Sequence, residues 1–209
     1  MLERIHTIES RKNRQIKIDV IPGHFATNHS HINYYVDMTS IKTSHQMAKA
    51  AAEQLAGTYS STHIDTIICL EGTEMLGAFL AQSLSESGIN RGLDISVITP
   101  ELNSNNQMIF RDNTQKKIWS KKVLLLISSV STGKTINRAI ECLQYYNGQL
   151  IAIGAIFSAI GTSNGIDIHS IFSCDDVHEY STYAANVCPM CQGGQKVDAL
   201  VNSFGYSKI

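Results

Sequence analysis

The sequence has no surplus of charge of either sign: 17 Lys and Arg stand against 18 Asp and Glu, a formal charge of −1. No broad field therefore favours nucleic acid or an anionic membrane as partner. Any phosphate recognition has to be local, built from a few backbone amides and one or two cations. Long apolar runs are missing as well. The longest mostly apolar stretch, Leu150 to Gly161, is too short to span a bilayer, and the opening Met1-Leu2-Glu3-Arg4-Ile5-His6 has no apolar signal region. An unsecreted, cytoplasmic protein is expected. Five cysteines at irregular spacings make no disulfide framework, which fits a reducing compartment and puts weight on the one close pair, Cys188 and Cys191.

What is present is core material. In 209 residues, 43% are hydrophobic and 17% charged, which excludes disorder and supplies one packed core of ordinary size. Aliphatic and β-branched runs alternate with segments of helical period, as a parallel sheet with crossover helices requires. Strands are expected at Ile64 to Leu70, Asp94 to Thr99, Val123 to Ile127, Leu150 to Phe157 and Ile168 to Phe172. Helices are expected at Thr43 to Ala56, with Ser44 as cap and Gly57 as stop, at Met75 to Ser87, and at Lys134 to Tyr146. Ahead of them, Ile16 to Val20 reads as a strand broken by Pro22-Gly23, and Ile32 to Met38 as a second extended piece. Glu101 to Lys122 reads as a loop or β-hairpin arm leaving the core. The expectation is one α/β domain over residues 1–209: a parallel central sheet flanked by helices, with residues 1–40 and about 173–209 forming a small hood or tail.

In such sheets ligands bind beyond the carboxyl ends of strands, where helix N-termini present unpaired N–H groups. Ser128-Ser129-Val130-Ser131-Thr132-Gly133-Lys134-Thr135 occupies such a place, directly after V-L-L-L-I and opening the helix I-N-R-A-I-E-C-L. Gly133 permits a tight turn, Ser131, Thr132 and Thr135 can donate to phosphate oxygens, and Lys134 supplies a cation. The plainer alternative is a Ser/Thr-rich turn that caps a helix. A nucleotide P-loop needs glycine five positions before Gly133, and Ser128 stands there.

The same segment resembles the phosphoribosyl diphosphate (PRPP) motif of type I phosphoribosyltransferases: four aliphatic residues, two acids, then V-x-T-T-G-x-T/S. Other segments agree in order. Gly23 to Asp37 (G-H-F-A-T-N-H-S-H-I-N-Y-Y-V-D) looks like the N-terminal segment of the orotate branch. Ile64 to Ala81 looks like the strand, pyrophosphate loop and helix that follow, Ile109-Phe110-Arg111 like the start of the flexible catalytic loop, and C-P-M-C-Q-G-G like the C-P-x-C-x-x-G tail of some orotate phosphoribosyltransferases. The resemblance implies transfer of phosphoribosyl from PRPP to a pyrimidine or related base, with Mg2+ accompanying PRPP, in a homodimer. It implies that Ser128, Ser129 and Ser131 to Thr135 hold the phosphoribosyl group. Glu71, Gly72, Thr73 and Arg111 would meet the pyrophosphate, and His29, Tyr34 and Tyr35 would face the base.

Two departures stand out. The acid pair that would face the ribose falls on Ile127 and Ser128, or on Ser128 and Ser129, so no carboxylate remains in the motif. The resemblance implies a catalytic basic residue on this arm that reaches the departing pyrophosphate; the arm after Arg111 is short, and Lys116 or Lys117 would stand in if it folds over the site, the alternative being that both are solvated surface. The rival readings are a non-catalytic PRPP- or nucleotide-binding module that kept the phosphate loop, and a degenerate P-loop NTPase. In the tail, Cys188-Pro-Met-Cys191 has the spacing of a half zinc site, which Cys174 and His178 would complete.

Overall fold

A computed structural model describes residues 2–104 and 107–209. Its principal elements are β1 (Lys17–Ala26), β2 (His31–Asp37), α1 (His45–Thr58), β3 (Thr66–Cys69), α2 (Glu74–Glu86), β4 (Ser96–Ile98), β5 (Lys122–Val130), α3 (Lys134–Tyr145), β6 (Gln149–Ser158), β7 (Ile166–Ser173), β8 (Ala199–Asn202) and β9 (Gly205–Lys208).

The run V-L-L-L-I is apolar at every step, a pattern that suits a strand covered on both faces. It forms the middle of β5, with Val123, Leu125 and Ile127 buried on one side among Ile136, Ala139 and Leu143 of α3. Leu124 and Leu126 point the other way, into a core shared with Leu55 of α1 and Leu76, Leu80 and Leu84 of α2. Helices thus cover both faces of a parallel sheet of order β7-β6-β5-β3-β4. The chain steps outward from β3 to β4, then crosses back to place β5 on the other side of β3. The direction of winding therefore reverses between β3 and β5, and the loops leaving their carboxyl ends diverge to open a crevice.

A second, mostly antiparallel sheet forms the hood. β1 and β2 pair antiparallel, a two-residue strand Thr182–Tyr183 adds to β2, and the C-terminal hairpin β8-β9 joins β1 through a parallel β8. Ile21, Phe25, Ile32, Tyr35, Ala199 and Val201 make its separate apolar core. Both chain ends thus contribute to one layer over the main sheet.

Several boundaries differ from the sequence expectation. β1 is not broken at Pro22-Gly23; it runs to Ala26 with a register shift between Pro22 and Phe25, and this irregularity absorbs the residue that lacks an N–H. Ser44 does cap α1, accepting from the Met47 amide, but the helix passes Gly57 and ends at Thr58. In the arm, Glu101–Leu102 pairs with Met108–Ile109, and one helical turn, Asp112–Gln115, follows. Asn105 and Asn106, part of that expected arm, lie outside the described residues. Among the described residues no helix is long and apolar enough to cross a membrane.

Candidate functional site

β5 continues past Ile127 through Ser128 and Ser129 to Val130, and the chain then turns over Ser131 to Gly133 into α3. Gly133 is left-handed, with φ +75, and a Cβ there would meet Ser163 Oγ at 3.3 Å and Ile160 Cδ1 at 3.4 Å. A glycine is the residue that makes this turn without strain. No side chain caps α3, so the amides of its first turn are left for solvent or a ligand.

The neighbouring strand β3 ends at Cys69, and the loop beyond it contains two consecutive left-handed residues, Glu71 with φ +61 and Gly72 with φ +81. They turn the chain so that the Glu71 carboxylate crosses to β5. Ser128 Oγ donates to Glu71 Oε2 at 2.7 Å, and the Ser129 amide donates to the same oxygen at 3.4 Å. Burial pushes the Glu71 carboxyl above the ordinary range; the hydrogen bonds from Ser128 and Ser129 and the nearby Lys42 oppose this only in part. Lys42 donates to the backbone carbonyls of Glu71 and Ser203, linking this loop to the tip of the β8-β9 hairpin. Burial lowers the pKa of its ammonium.

Between these loops and the hood lies a cavity of about 550 Å³, within the range of small-molecule sites. Ser129 to Thr135 form one wall, Glu71 and Gly72 another, Thr27 to Ser30 with Tyr35 the hood side, and Val201 to Phe204 the tail side. Tyr180 closes the remaining gap, its hydroxyl 3.3 Å from Ser131 Oγ and its ring 5.0 Å from that of Phe157. Burial pushes the Tyr180 phenol up. A wall of hydroxyls and amides, with the carboxylates of Glu71 and Glu74 on another side, suits a ligand with one anionic end and a ring or sugar beside it.

No family model matches the chain. An orotate phosphoribosyltransferase of Chlorobium phaeobacteroides is 25% identical over 186 residues, covering 86% of this chain and 88% of that protein. Among solved structures, the orotate phosphoribosyltransferase of Mycobacterium tuberculosis H37Rv matches with a TM-score of 0.53 at 13% identity, over 76% of this chain and 91% of that one. The chain is orotate phosphoribosyltransferase-like. A Leishmania donovani UMP synthase also shares the fold, with a TM-score of 0.56 at 16% identity over 75% of this chain; the match spans 34% of that longer protein.

In this orotate phosphoribosyltransferase-like chain, Ser129, Ser131, Thr132, Gly133, Lys134, Thr135, Glu71, Gly72, His29 and Tyr35 all line the cavity. Ser128 is fully buried behind the Glu71 carboxylate, not turned to the cavity. Five other expected residues lie off the cavity. The Thr73 hydroxyl is buried and donates to the carbonyls of Leu70 at 2.9 Å and Leu126 at 3.1 Å, so it ties the loop to β5 and does not face a pyrophosphate. Arg111 is exposed and held by Glu101 in a two-point pair at 2.9 and 2.6 Å, across the base of the short hairpin. Lys116 and Lys117 are exposed, and the Lys117 carbonyl accepts from Thr66 Oγ1 at the first residue of β3. That is the amino end of the sheet: Val123, which pairs with Thr66, lies about 13 Å along β5 from Ile127, where the cavity lining begins, at ~3.3 Å per residue. Tyr34 and Tyr35 point to opposite faces, and Tyr34 packs on the main core.

The tail also regroups. Cys188 and Cys191 meet His24 and His31, not Cys174 and His178. Cys174 turns its thiol toward the Ala159 carbonyl at 3.7 Å, and His178 is exposed. Sequence reading passed over Arg138, Tyr180, Phe204 and Lys42. Arg138 follows Lys134 by four residues and so shares its helix face, a signal available in the sequence. Tyr180 and Phe204 come from loops and Lys42 from the short helix Thr39–Thr43, whose positions only the folded chain sets.

Proposed function

We propose that this chain transfers a phosphoribosyl group from PRPP to the ring nitrogen of a pyrimidine base, orotate or a close relative. The bond from the anomeric carbon to pyrophosphate breaks, the bond to the base nitrogen forms, and the proton of that nitrogen is released. The observation that carries this reading is the Glu71 carboxylate lying on Ser128 and Ser129. The paired acids missing from the PRPP motif left the developing positive charge at the anomeric carbon without a counter-charge. A carboxylate from the adjacent strand end supplies one from the side, and stabilisation of this kind is worth several kcal/mol.

In this reading the hydroxyls of Ser131, Thr132 and Thr135 and the first amides of α3 hold the 5′-phosphate. Lys134 and Arg138, one helical turn apart, offset its charge. His29, Tyr35 and Phe204 form the base side, with Phe204 exposed for stacking. Glu71 and the serine hydroxyls are the hard oxygen donors that suit Mg2+ arriving with substrate phosphates, which takes one or two carboxylates and keeps waters. When bound, Mg2+ would neutralise charge on the departing pyrophosphate. A homodimer in the cytoplasm completes the proposal.

A second reading, a module that binds PRPP or a nucleotide without turnover, is favoured by Arg111, Lys116 and Lys117 lying off the cavity. One experiment separates the two. Release of pyrophosphate from PRPP is measured with orotate, uracil and no base, alongside calorimetric titration of PRPP. Base-dependent release supports transfer. Tight PRPP binding without release supports the module, and absence of both overturns the two together.

A further inference from the structure

We infer that His24, His31, Cys188 and Cys191 form a zinc site that fastens the C-terminal tail to the hood. The four donor atoms, His24 Nε2, His31 Nδ1 and the two Sγ, all lie within 4.8 Å of one another. A tetrahedral zinc with bonds of about 2.3 Å to sulfur and about 2.0 to 2.1 Å to nitrogen would hold sulfur and nitrogen about 3.6 Å apart. The sulfur–nitrogen separations here are 3.7 Å for Cys188 to His24, 3.6 Å for Cys191 to His24 and 3.3 Å for Cys191 to His31. The two nitrogens, at 2.9 Å, are somewhat closer than an ion would leave them.

The contacts made by the donor residues themselves point the same way. His24 Nδ1 lies 2.9 Å from the Gln195 carbonyl oxygen, which can only accept, so this nitrogen carries the proton. Nε2 is then left with its lone pair directed at the cluster, the arrangement that orients a ligating histidine. His24 and Cys188 are fully buried, so bulk solvent does not reach those two donors. Two thiolates with two imidazoles select zinc over the hard cations that accompany phosphates. Cys188 caps a one-turn helix, Pro189–Gln192, and Cys191 lies within it three residues on, so the turn brings both sulfurs to the same side.

The site has a structural consequence. His24 sits within β1 and His31 opens β2, whereas the cysteines are 157 to 167 positions later. The Asp198 amide donates to the His24 carbonyl at 2.7 Å and Asp198 Oδ2 accepts from the His24 amide at 2.9 Å, so the tail is registered on β1 immediately before β8 begins. A metal at this knot would hold β8 on β1 and with it Val201 to Phe204 at the cavity wall. Ordering a tail through such a site converts metal affinity into folding stability.

The test is metal analysis of the full chain, purified under reducing conditions without added metal. About one zinc per chain is expected. Cys191→Ser and His31→Ala should lower the content at least tenfold, while Cys174→Ser and His178→Ala leave it unchanged. If either cluster variant fails to fold, the wild-type chain is stripped with chelator and titrated with Co2+. Intense visible bands of tetrahedral cobalt with near-ultraviolet thiolate charge transfer, and a melting temperature that falls on stripping and recovers with Zn2+, are the supporting results. Absence of both retained metal and charge transfer overturns the inference, as does metal loss in the Cys174 or His178 variants, or a Cys188–Cys191 disulfide in the reduced preparation.

Discussion

Ser128 and Glu71 are 57 positions apart in the chain and share a hydrogen bond of 2.7 Å. That contact joins the ends of the two strands between which the sheet reverses its winding, and it puts a carboxylate where the phosphate motif has none. Substituting Glu71→Gln keeps the side-chain shape and removes the charge. Pyrophosphate release should fall by about 10²-fold or more, the size of loss seen when one preorganised electrostatic partner is removed. PRPP binding measured without Mg2+ should change far less, because there the charge acts on the transition state alone.

The same residue sets a pH dependence. Its carboxyl is raised in the fold, chiefly by burial, so its contribution to stability is fully present below the unfolded carboxyl range and is lost as pH rises through the folded value. Turnover that needs the ionised form should rise over that same window. Denaturation midpoints of wild type and Glu71→Gln, compared across the acid to neutral range, should diverge as pH rises, with the variant the more stable. Parallel curves would contradict the buried placement of the carboxylate.

Gly133→Ala places a Cβ on a residue with φ +75, against Ser163 and Ile160. The left-handed conformation alone costs an L-residue roughly 1–2 kcal/mol. Urea denaturation should show a loss of that order, and phosphate or PRPP affinity should drop with it as the loop relaxes.

The cations divide into two groups. Lys134 and Arg138 line the cavity, whereas Lys116 and Lys117 lie at the far end of the sheet. Lys134→Gln and Arg138→Gln should each weaken PRPP binding by about tenfold, as expected for charge-assisted contacts at a partly exposed site. Lys116→Gln with Lys117→Gln should leave the affinity unchanged, and calorimetry at two salt concentrations reads both.

Tyr180→Phe keeps the ring against Phe157 and removes the hydroxyl 3.3 Å from Ser131 Oγ. Loss of one such hydrogen bond costs about 0.5–1.5 kcal/mol. The phosphate loop should become more mobile by amide exchange at Ser131 to Gly133, with little change in the exchange of β5.

Local pattern was enough to read the main sheet. Val123 to Ile127 announces a doubly buried strand because every position is apolar, and the Ala-rich segment after Ser44 announces a capped helix because its cap and period agree. The glycine turn into α3 is legible for the same reason, since Gly133 and its hydroxyl neighbours lie within a few residues of one another. The hood was less legible. β8 and β9 are four residues each and carry little periodicity, and β1 passes a proline and a glycine that locally argue for a break.

The sequence by itself determined the alternation of strand and helix, the hydroxyl-rich turn into α3 and the absence of acids within that turn, all of which depend on neighbours in the chain. Only the tertiary structure decided which distant groups complete each site. Glu71 reaches Ser128 because two left-handed residues turn one strand end toward another. His24 and His31 meet Cys188 and Cys191 because the tail registers on β1, and Lys117 is carried to the wrong end of the sheet because β5 begins a few residues after it. Each of these is a consequence of strand order and register, which are set by packing over the whole core and leave no mark at the residues they bring together.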